Sequence, residues 1–191
     1  MSKSLDDMTY DELARMFPVI ISDYKPVWAR RYLKEKAVLE QAIGSNNIVR
    51  ISHIGSTAIP GLTGKPTIDI LVEINDDCDT TGLVFSMQSA GYRYLEQPEK
   101  PPPYMMFIKG YTPQGFKGQV FHVHIRYSGD WDELYFRDYL LVHPETAGEY
   151  GRLKLELKKK YEYDREAYTE AKTNFIRRVN SLARQEAREN T

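Results

Sequence analysis

The stretch His53-Ile54-Gly55-Ser56-Thr57-Ala58-Ile59-Pro60-Gly61, followed by Lys65 and Asp69, has the residue types and spacing for phosphate chemistry. A Gly-Ser turn after a strand lets backbone N–H groups and a hydroxyl approach phosphate oxygens, and a nearby lysine adds a point charge. Gly55, Ser56, Thr57 and Lys65 are therefore candidate phosphate ligands. Asp69 falls on the following strand, where a carboxylate could hold a divalent cation beside that phosphate. The plain alternative is a tight turn with a capping serine, followed by a strand whose carboxylate faces solvent.

A second constellation lies further along. In the segment Gln119 to Tyr127, Phe121, Val123, Ile125 and Tyr127 alternate with His122, His124 and Arg126, so the two sets occupy opposite faces of a strand. Two imidazoles and a guanidinium on one face suit anion binding, proton transfer or transition-metal ligation. They equally suit an edge strand with a polar outer face. Arg137, Lys154, Tyr168 and Lys172 supply further basic and aromatic groups from helical segments, and Tyr168 and Lys172, four residues apart, share a helical face. They are either ligands of a polyanion or solvated positions; Lys158, Lys159 and Lys160 are solvated.

The elements that must position these groups follow from periodicity and punctuation. Thr9 with Glu12 has capping-box spacing and starts a short helix from Tyr10 that ends before Pro18. Val19 to Ile21 is a short extended run. Pro26 opens a helix carrying Trp28, Tyr32, Leu39 and Ile43 at helical spacing, which Gly44 ends. Asn47 to Ile54 reads as a strand. Thr67 to Ile74 alternates, with Ile68, Ile70, Val72 and Ile74 on a core face and Asp69 on the other. Thr81 to Ala90 reads as a helix. Tyr104 to Lys109 and Gln119 to Tyr127 form a hairpin with a long Gly- and Pro-containing loop. Helices then run from Trp131 to Val142, from Pro144 to about Lys160, and from an Asp164 cap through Ala187. The fold class expected is mixed α/β (α+β), a small mixed sheet backed by helices and closed by a C-terminal helical hairpin. The chain reads as one domain over residues 1–191: an N-terminal helical segment 1–45, a sheet core 46–128 and C-terminal helices 129–191.

Composition excludes several classes. With 41% hydrophobic and 28% charged residues among 191, the chain is neither disordered nor a membrane protein. No segment approaches the about 20 apolar residues that span a bilayer, and the N-terminus lacks a signal-peptide apolar run, so a cytoplasmic location is expected. The single cysteine, Cys78, makes an internal disulfide impossible. Its neighbours Asp77 and Asp79 disfavour a thiolate, which makes it a loop residue rather than a nucleophile. The formal net charge of −1 arises from interleaved acids and bases. No basic footprint for non-specific nucleic-acid binding is present, and a small ligand is the expected partner.

Together these residues resemble the GrpB family of small bacterial proteins in the nucleotidyltransferase superfamily. The resemblance runs through nearly the whole chain: Asp23-Tyr24, Pro26 and Trp28; His53 through Leu62; Lys65-Pro66-Thr67-Ile68-Asp69-Ile70-Leu71-Val72; His122-Val123-His124; Phe136-Arg137-Asp138-Tyr139-Leu140; and Tyr150, Leu153-Lys154, Tyr168 and Lys172. It implies a nucleotidyltransferase-like core that takes a nucleoside triphosphate with magnesium or manganese. Asp69 and His124 are then the catalytic candidates and Asp69, His122 and His124 the metal ligands, with Gly55, Ser56, Thr57, Lys65, Arg126, Arg137, Lys154, Tyr168 and Lys172 around the nucleotide.

One departure from the superfamily pattern has consequences. Nucleotidyltransferases generally carry two acids one residue apart on this strand, and here Thr67 and Leu71 flank Asp69. Two metal ions about 3.5–4 Å apart need shared carboxylates, and Glu73 lies about 13 Å along the strand from Asp69. The expected function is transfer of a nucleotidyl or phosphoryl group to an unknown acceptor. The alternative is a nucleotide-binding regulatory module that has lost turnover, and a metal-dependent hydrolase stands behind both.

Overall fold

A computed structural model describes residues 3–190 of the chain. Its centre is a five-stranded mixed sheet built from β1 (Ile48–Ile54), β2 (Thr67–Ile74), β3 (Arg93–Leu95), β4 (Met105–Thr112) and β5 (Gly115–Tyr127), in the order β1-β2-β5-β4-β3. β2 and β5 run parallel in the middle, and every other neighbouring pair is antiparallel. Helices cover both faces, as a sheet with two apolar sides requires.

On one face pack α2 (Val27–Ile43) and α3 (Thr80–Ser89). Trp28, Leu39 and Ile43 of α2 and Leu83 and Met87 of α3 close on Ile68, Ile70, Val72 and Ile74 of β2 and on Val123 and Ile125 of β5. Each fully buried side chain of this kind contributes about 1.5–3 kcal/mol before chain entropy is subtracted. Gly44, at φ 85, ends α2 in a conformation that side chains rarely adopt. α1 (Tyr10–Met16) is capped by Thr9 and Glu12 in a reciprocal capping box, as their spacing predicts.

The opposite face carries α4 (Asp132–Val142), α5 (Pro144–Tyr161), α6 (Arg165–Glu170) and α7 (Thr173–Glu189). Leu134 of α4 packs on Ile54 and Leu71, while Ile59 and Leu62 from the turn after β1 insert among Phe136, Leu140, Ala147, Tyr150 and Val179. This corrects the expectation of a single core face on β2: Leu71 is fully buried and Glu73 only 1% exposed. Glu73 is neutralised there by Arg50 and accepts the Gly129 N–H at 3.2 Å.

Other differences have local causes. The run Val19 to Ile21 stays outside the sheet: Ser22 makes an isolated bridge to Gly64, and Val19 donates its N–H to the Glu162 carbonyl. The hairpin loop shrinks to Pro113-Gln114 because Gly110, Gly115 and Gly118, all at positive φ, are absorbed into longer strands with a register shift after Lys109. β3, only three residues, has too little pattern to be read. The helix expected from Asp164 to Ala187 is two, broken at Ala171-Lys172 between α6 and α7. Cys78 lies in a loop.

Candidate functional site

Parallel pairing sets Asp69 opposite His122 and Leu71 opposite His124. Because strand side chains alternate, the carboxylate and both imidazoles reach one face of the sheet, under α5 and α6. Gly55 ends β1 against this carboxylate: a Cβ at that position would lie 2.5 Å from Asp69 Oδ2, and its φ is +69°. Only glycine allows the turn to touch the acid.

The turn continues through Ser56–Ala58. Lys154 on α5, 2% exposed, donates to Ser56 Oγ at 2.8 Å and to the Thr63 carbonyl. Gly64 fits beneath, where a Cβ would lie 2.6 Å from Ser56 Cβ. Lys65 and Lys172 both lie over the ring of Tyr168, at 5.5 and 4.6 Å from its centroid. The Tyr168 ring is fully buried and its hydroxyl has no hydrogen-bond partner among the described residues.

Three lysines and one carboxylate therefore lie close together in a largely buried cluster. Burial holds Lys65 down to about 7, helped by the charges of Lys172 and Arg165 and opposed by Asp69. Burial, with Lys172 and Lys65 beside it, holds Lys154 to about 7, and burial holds Lys172 to about 8 against the pull of Asp69. Asp69 itself is pushed up by burial, but the His122 hydrogen bond and the charges of His122, His124 and Lys65 outweigh this and leave it below its ordinary value. Such mutual repulsion is what a bound polyanion relieves.

Two residues of the site carry no signal in the sequence. Arg165, at the start of α6, donates to the Tyr111 hydroxyl at 3.0 Å and to the Phe17 carbonyl at 3.2 Å. Tyr111 in turn bonds His122 Nε2 at 2.8 Å, and His122 Nδ1 lies 3.4 Å from Asp69 Oδ1. Arg165, Tyr111, His122 and Asp69 thus form one continuous chain of polar contacts. Arg165 follows the capping Asp164 in sequence, and nothing local marks it as more than a first-turn residue.

Several expected site residues are used otherwise. Thr57, 1% exposed, donates to the Thr67 carbonyl at 3.2 Å and bonds His53 Nε2 at 2.9 Å, so its hydroxyl is committed to the fold. Arg126 is 3% exposed, pairs with Glu133 at 2.8 Å and stacks on Tyr104 and Trp131, next to Glu73 rather than Asp69. Arg137 donates to the His53 carbonyl at 3.1 Å and pairs with Asp138 at 2.7 Å. Their charges are spent locally.

The expected metal ligands Asp69, His122 and His124 share a face, but no group of three His, Cys, Asp or Glu among the described residues is arranged to hold a metal ion. Both ring nitrogens of His122 are committed, and burial pushes His124 down to about 4, keeping it neutral. With Thr67 and Leu71 beside Asp69, this donor set does not fit the two-ion arrangement of a nucleotidyltransferase, which needs bridging carboxylates.

The fold has a distant likeness among solved structures. The MgGTP-bound crystal structure of the Cid1 poly(U) polymerase superposes with a TM-score of 0.50 at 9% identity, over 73% of this chain and 43% of that one. At that identity it speaks for the fold alone. The crystal structure of the conserved protein GrpB from Enterococcus faecalis superposes with a TM-score of 0.76 at 29% identity, over 88% of this chain and 99% of that one. In sequence, the chain is 36% identical to a UPF0157 protein of Pseudomonas aeruginosa over 81% of its own length, and spans 63% of that relative. It is 35% identical to the glutamate-rich protein GrpB of Alkalihalophilus pseudofirmus, over 83% of its own length and 91% of that protein. No helix among the described residues is long and apolar enough to cross a membrane. The GrpB protein family model matches residues 18–181, a span that holds the turn, Asp69, the paired strands and all three lysines, and the chain belongs to that family.

Proposed function

We propose that this protein binds a nucleoside triphosphate, with the phosphates held by Lys65, Lys154, Lys172 and Arg165 at the Gly55-Ser56 turn. The observation that carries this is the imbalance of charge: Lys65 and Lys172 lie near the single carboxylate Asp69, Lys154 and Arg165 crowd those two lysines, and the Gly55 backbone comes up against the same acid. A triphosphate carries enough charge to reprotonate all three lysines, and its oxygens would replace the Ser56 hydroxyl as partner of Lys154. The lysines supply the neutralisation that a metal pair supplies elsewhere in this fold. A single magnesium or manganese ion arriving with the triphosphate finds Asp69 as its one carboxylate, and binding does not depend on it.

Calorimetric titration with ATP and with inorganic tripolyphosphate tests this, each in EDTA and in magnesium. The expected result is binding in both buffers, weakened at least tenfold by Lys154→Met or Lys172→Met. Absence of heat with every common nucleotide and with tripolyphosphate sinks the reading.

Transfer of a nucleotidyl or phosphoryl group is the second reading, supported by the Asp69 carboxylate on β2 lying directly against the Gly55 turn. It requires pyrophosphate release from a labelled triphosphate in manganese that Asp69→Asn abolishes. Binding without release, in every acceptor mixture tried, leaves a nucleotide-responsive module.

A further inference from the structure

Beside the lysine cluster lies a cavity of 170 Å³, between the N-terminal end of α2 and the first residues of β5. Its charged lining consists of Lys25, Arg31, Lys65 and Arg165, with no acid among them, and its apolar walls include Trp28 and Phe116. In a chain with 27 acids and 26 bases, a wall with bases only is a deliberate excess of one sign.

The cations are held by neutral groups. Arg31 donates to the side-chain carbonyl of Gln119 at 2.6 Å, and Gln119 is itself anchored by donating to the Pro66 carbonyl at 2.7 Å. Arg165 bonds the Phe17 carbonyl and the Tyr111 hydroxyl. Neutral acceptors orient a guanidinium and leave its charge uncompensated. The N-terminal end of α2 adds its partial positive charge to the same space.

We infer that this cavity is a second anion site, which takes a small doubly negative metabolite, a phosphate ester or a dicarboxylate. This rests on the proposed polyphosphate reading for its role, because Lys65 and Arg165 line the cavity and also border the lysine cluster, so its occupant would sit beside the bound phosphates. Size sets the class: pockets for drug-sized ligands run to about 300–1,000 Å³, so a whole nucleotide is excluded and a few carbons with their anionic groups fit. Trp28 and Phe116 contact the carbon skeleton while Lys25 and Arg31 hold the outer charge.

The test is calorimetry on the full chain with glycerol 3-phosphate and with succinate as probes, glycerol as the neutral control, and tripolyphosphate titrated separately. At least one dianion binds the wild-type protein, glycerol does not, and the Lys25→Ala/Arg31→Ala double variant loses at least tenfold in dianion affinity while tripolyphosphate binding stays unchanged. Which dianion binds identifies the class. Both substituted residues are exposed, and a melting curve verifies that the variant folds. If neither dianion binds the wild type, if the double variant binds unchanged, or if tripolyphosphate binding falls with it, the second site does not exist. If tripolyphosphate fails on the wild type while an Arg31-dependent dianion binds, the polyphosphate reading falls and this site stands.

Discussion

Lys154 reaches across 98 positions of sequence to place its ammonium nitrogen 2.8 Å from the hydroxyl of Ser56. That bond ties α5 to the turn after β1 and sets the lysine amine beside the Gly55-Ser56 backbone. Its acceptors are neutral, so the amine has nothing to hold its proton once buried.

The ligand-free protein therefore gains stability with rising pH across the alkaline range. Lys65 and Lys154 are held near 7 and Lys172 near 8 in the folded state, against 10.5 ordinarily, so between those limits the unfolded chain binds more protons and stability rises with pH. The gain ends near 10, where tyrosines of the unfolded chain ionise while burial keeps Tyr150 and Tyr168 protonated. On the acid side His53 and His124 are held near 4 by burial, so stability falls as pH drops from about 6.5 towards 4. Chemical denaturation at half-unit intervals reads all of this, and Lys154→Met flattens the rise above pH 7. A flat profile from 7 to 10 contradicts the cluster.

Anion binding reverses that preference. Tripolyphosphate draws protons onto the lysines, so at pH 8 calorimetry in buffers of different ionisation enthalpy should register proton uptake, and affinity should fall between pH 8 and 10.5. Proton release would require a different set of ligands.

Asp69→Asn removes the one carboxylate facing the lysines, and so separates charge balance from metal binding. In EDTA the variant is expected to bind tripolyphosphate at least as tightly as the wild type, with any magnesium-dependent increment lost. If binding disappears, Asp69 acts through a cation the ligand cannot do without.

Gly55→Ala introduces a Cβ 2.5 Å from Asp69 Oδ2 at a φ of +69°, so it displaces the acid and strains the turn. The backbone component alone costs about 1–3 kcal/mol, or roughly 2–12 °C in melting temperature for a domain of this size. Ligand binding should weaken as well, since the turn and Asp69 cannot both keep their places. Full affinity in a stable variant would detach the turn from the site.

Arg126→Ala should do the opposite, lowering stability while leaving tripolyphosphate binding intact. It strips Glu133 of its partner and Tyr104 and Trp131 of the stacked guanidinium. Breaking a fully buried pair costs about 3–5 kcal/mol; with Glu133 at 35% exposure, about 2 kcal/mol is expected. A thermal melt and one titration decide between this structural role and phosphate binding.

Local rules written in the sequence determined most of the elements. The Thr9–Glu12 box, Pro26 and Gly44 bound their helices, and the period of two over Thr67 to Ile74 and Phe121 to Tyr127 placed Asp69, His122 and His124 on faces opposite the apolar sets. Ser56, Lys65, Lys154 and Lys172 were legible as candidates because residue type and spacing suffice to suggest phosphate chemistry. What tertiary structure alone decided is which charges are spent. Alternation along a strand reports the face but not the neighbour, so Arg126 and Thr57 read as ligands until Glu133, Tyr104 and the Thr67 carbonyl were found to occupy them. Arg165 and Tyr111 entered the site through contacts between segments 54 residues apart, and the break at Ala171-Lys172 set Lys172 over Tyr168. A sequence encodes local conformation through the backbone and nearest side chains; charge compensation depends on partners that only folding brings together.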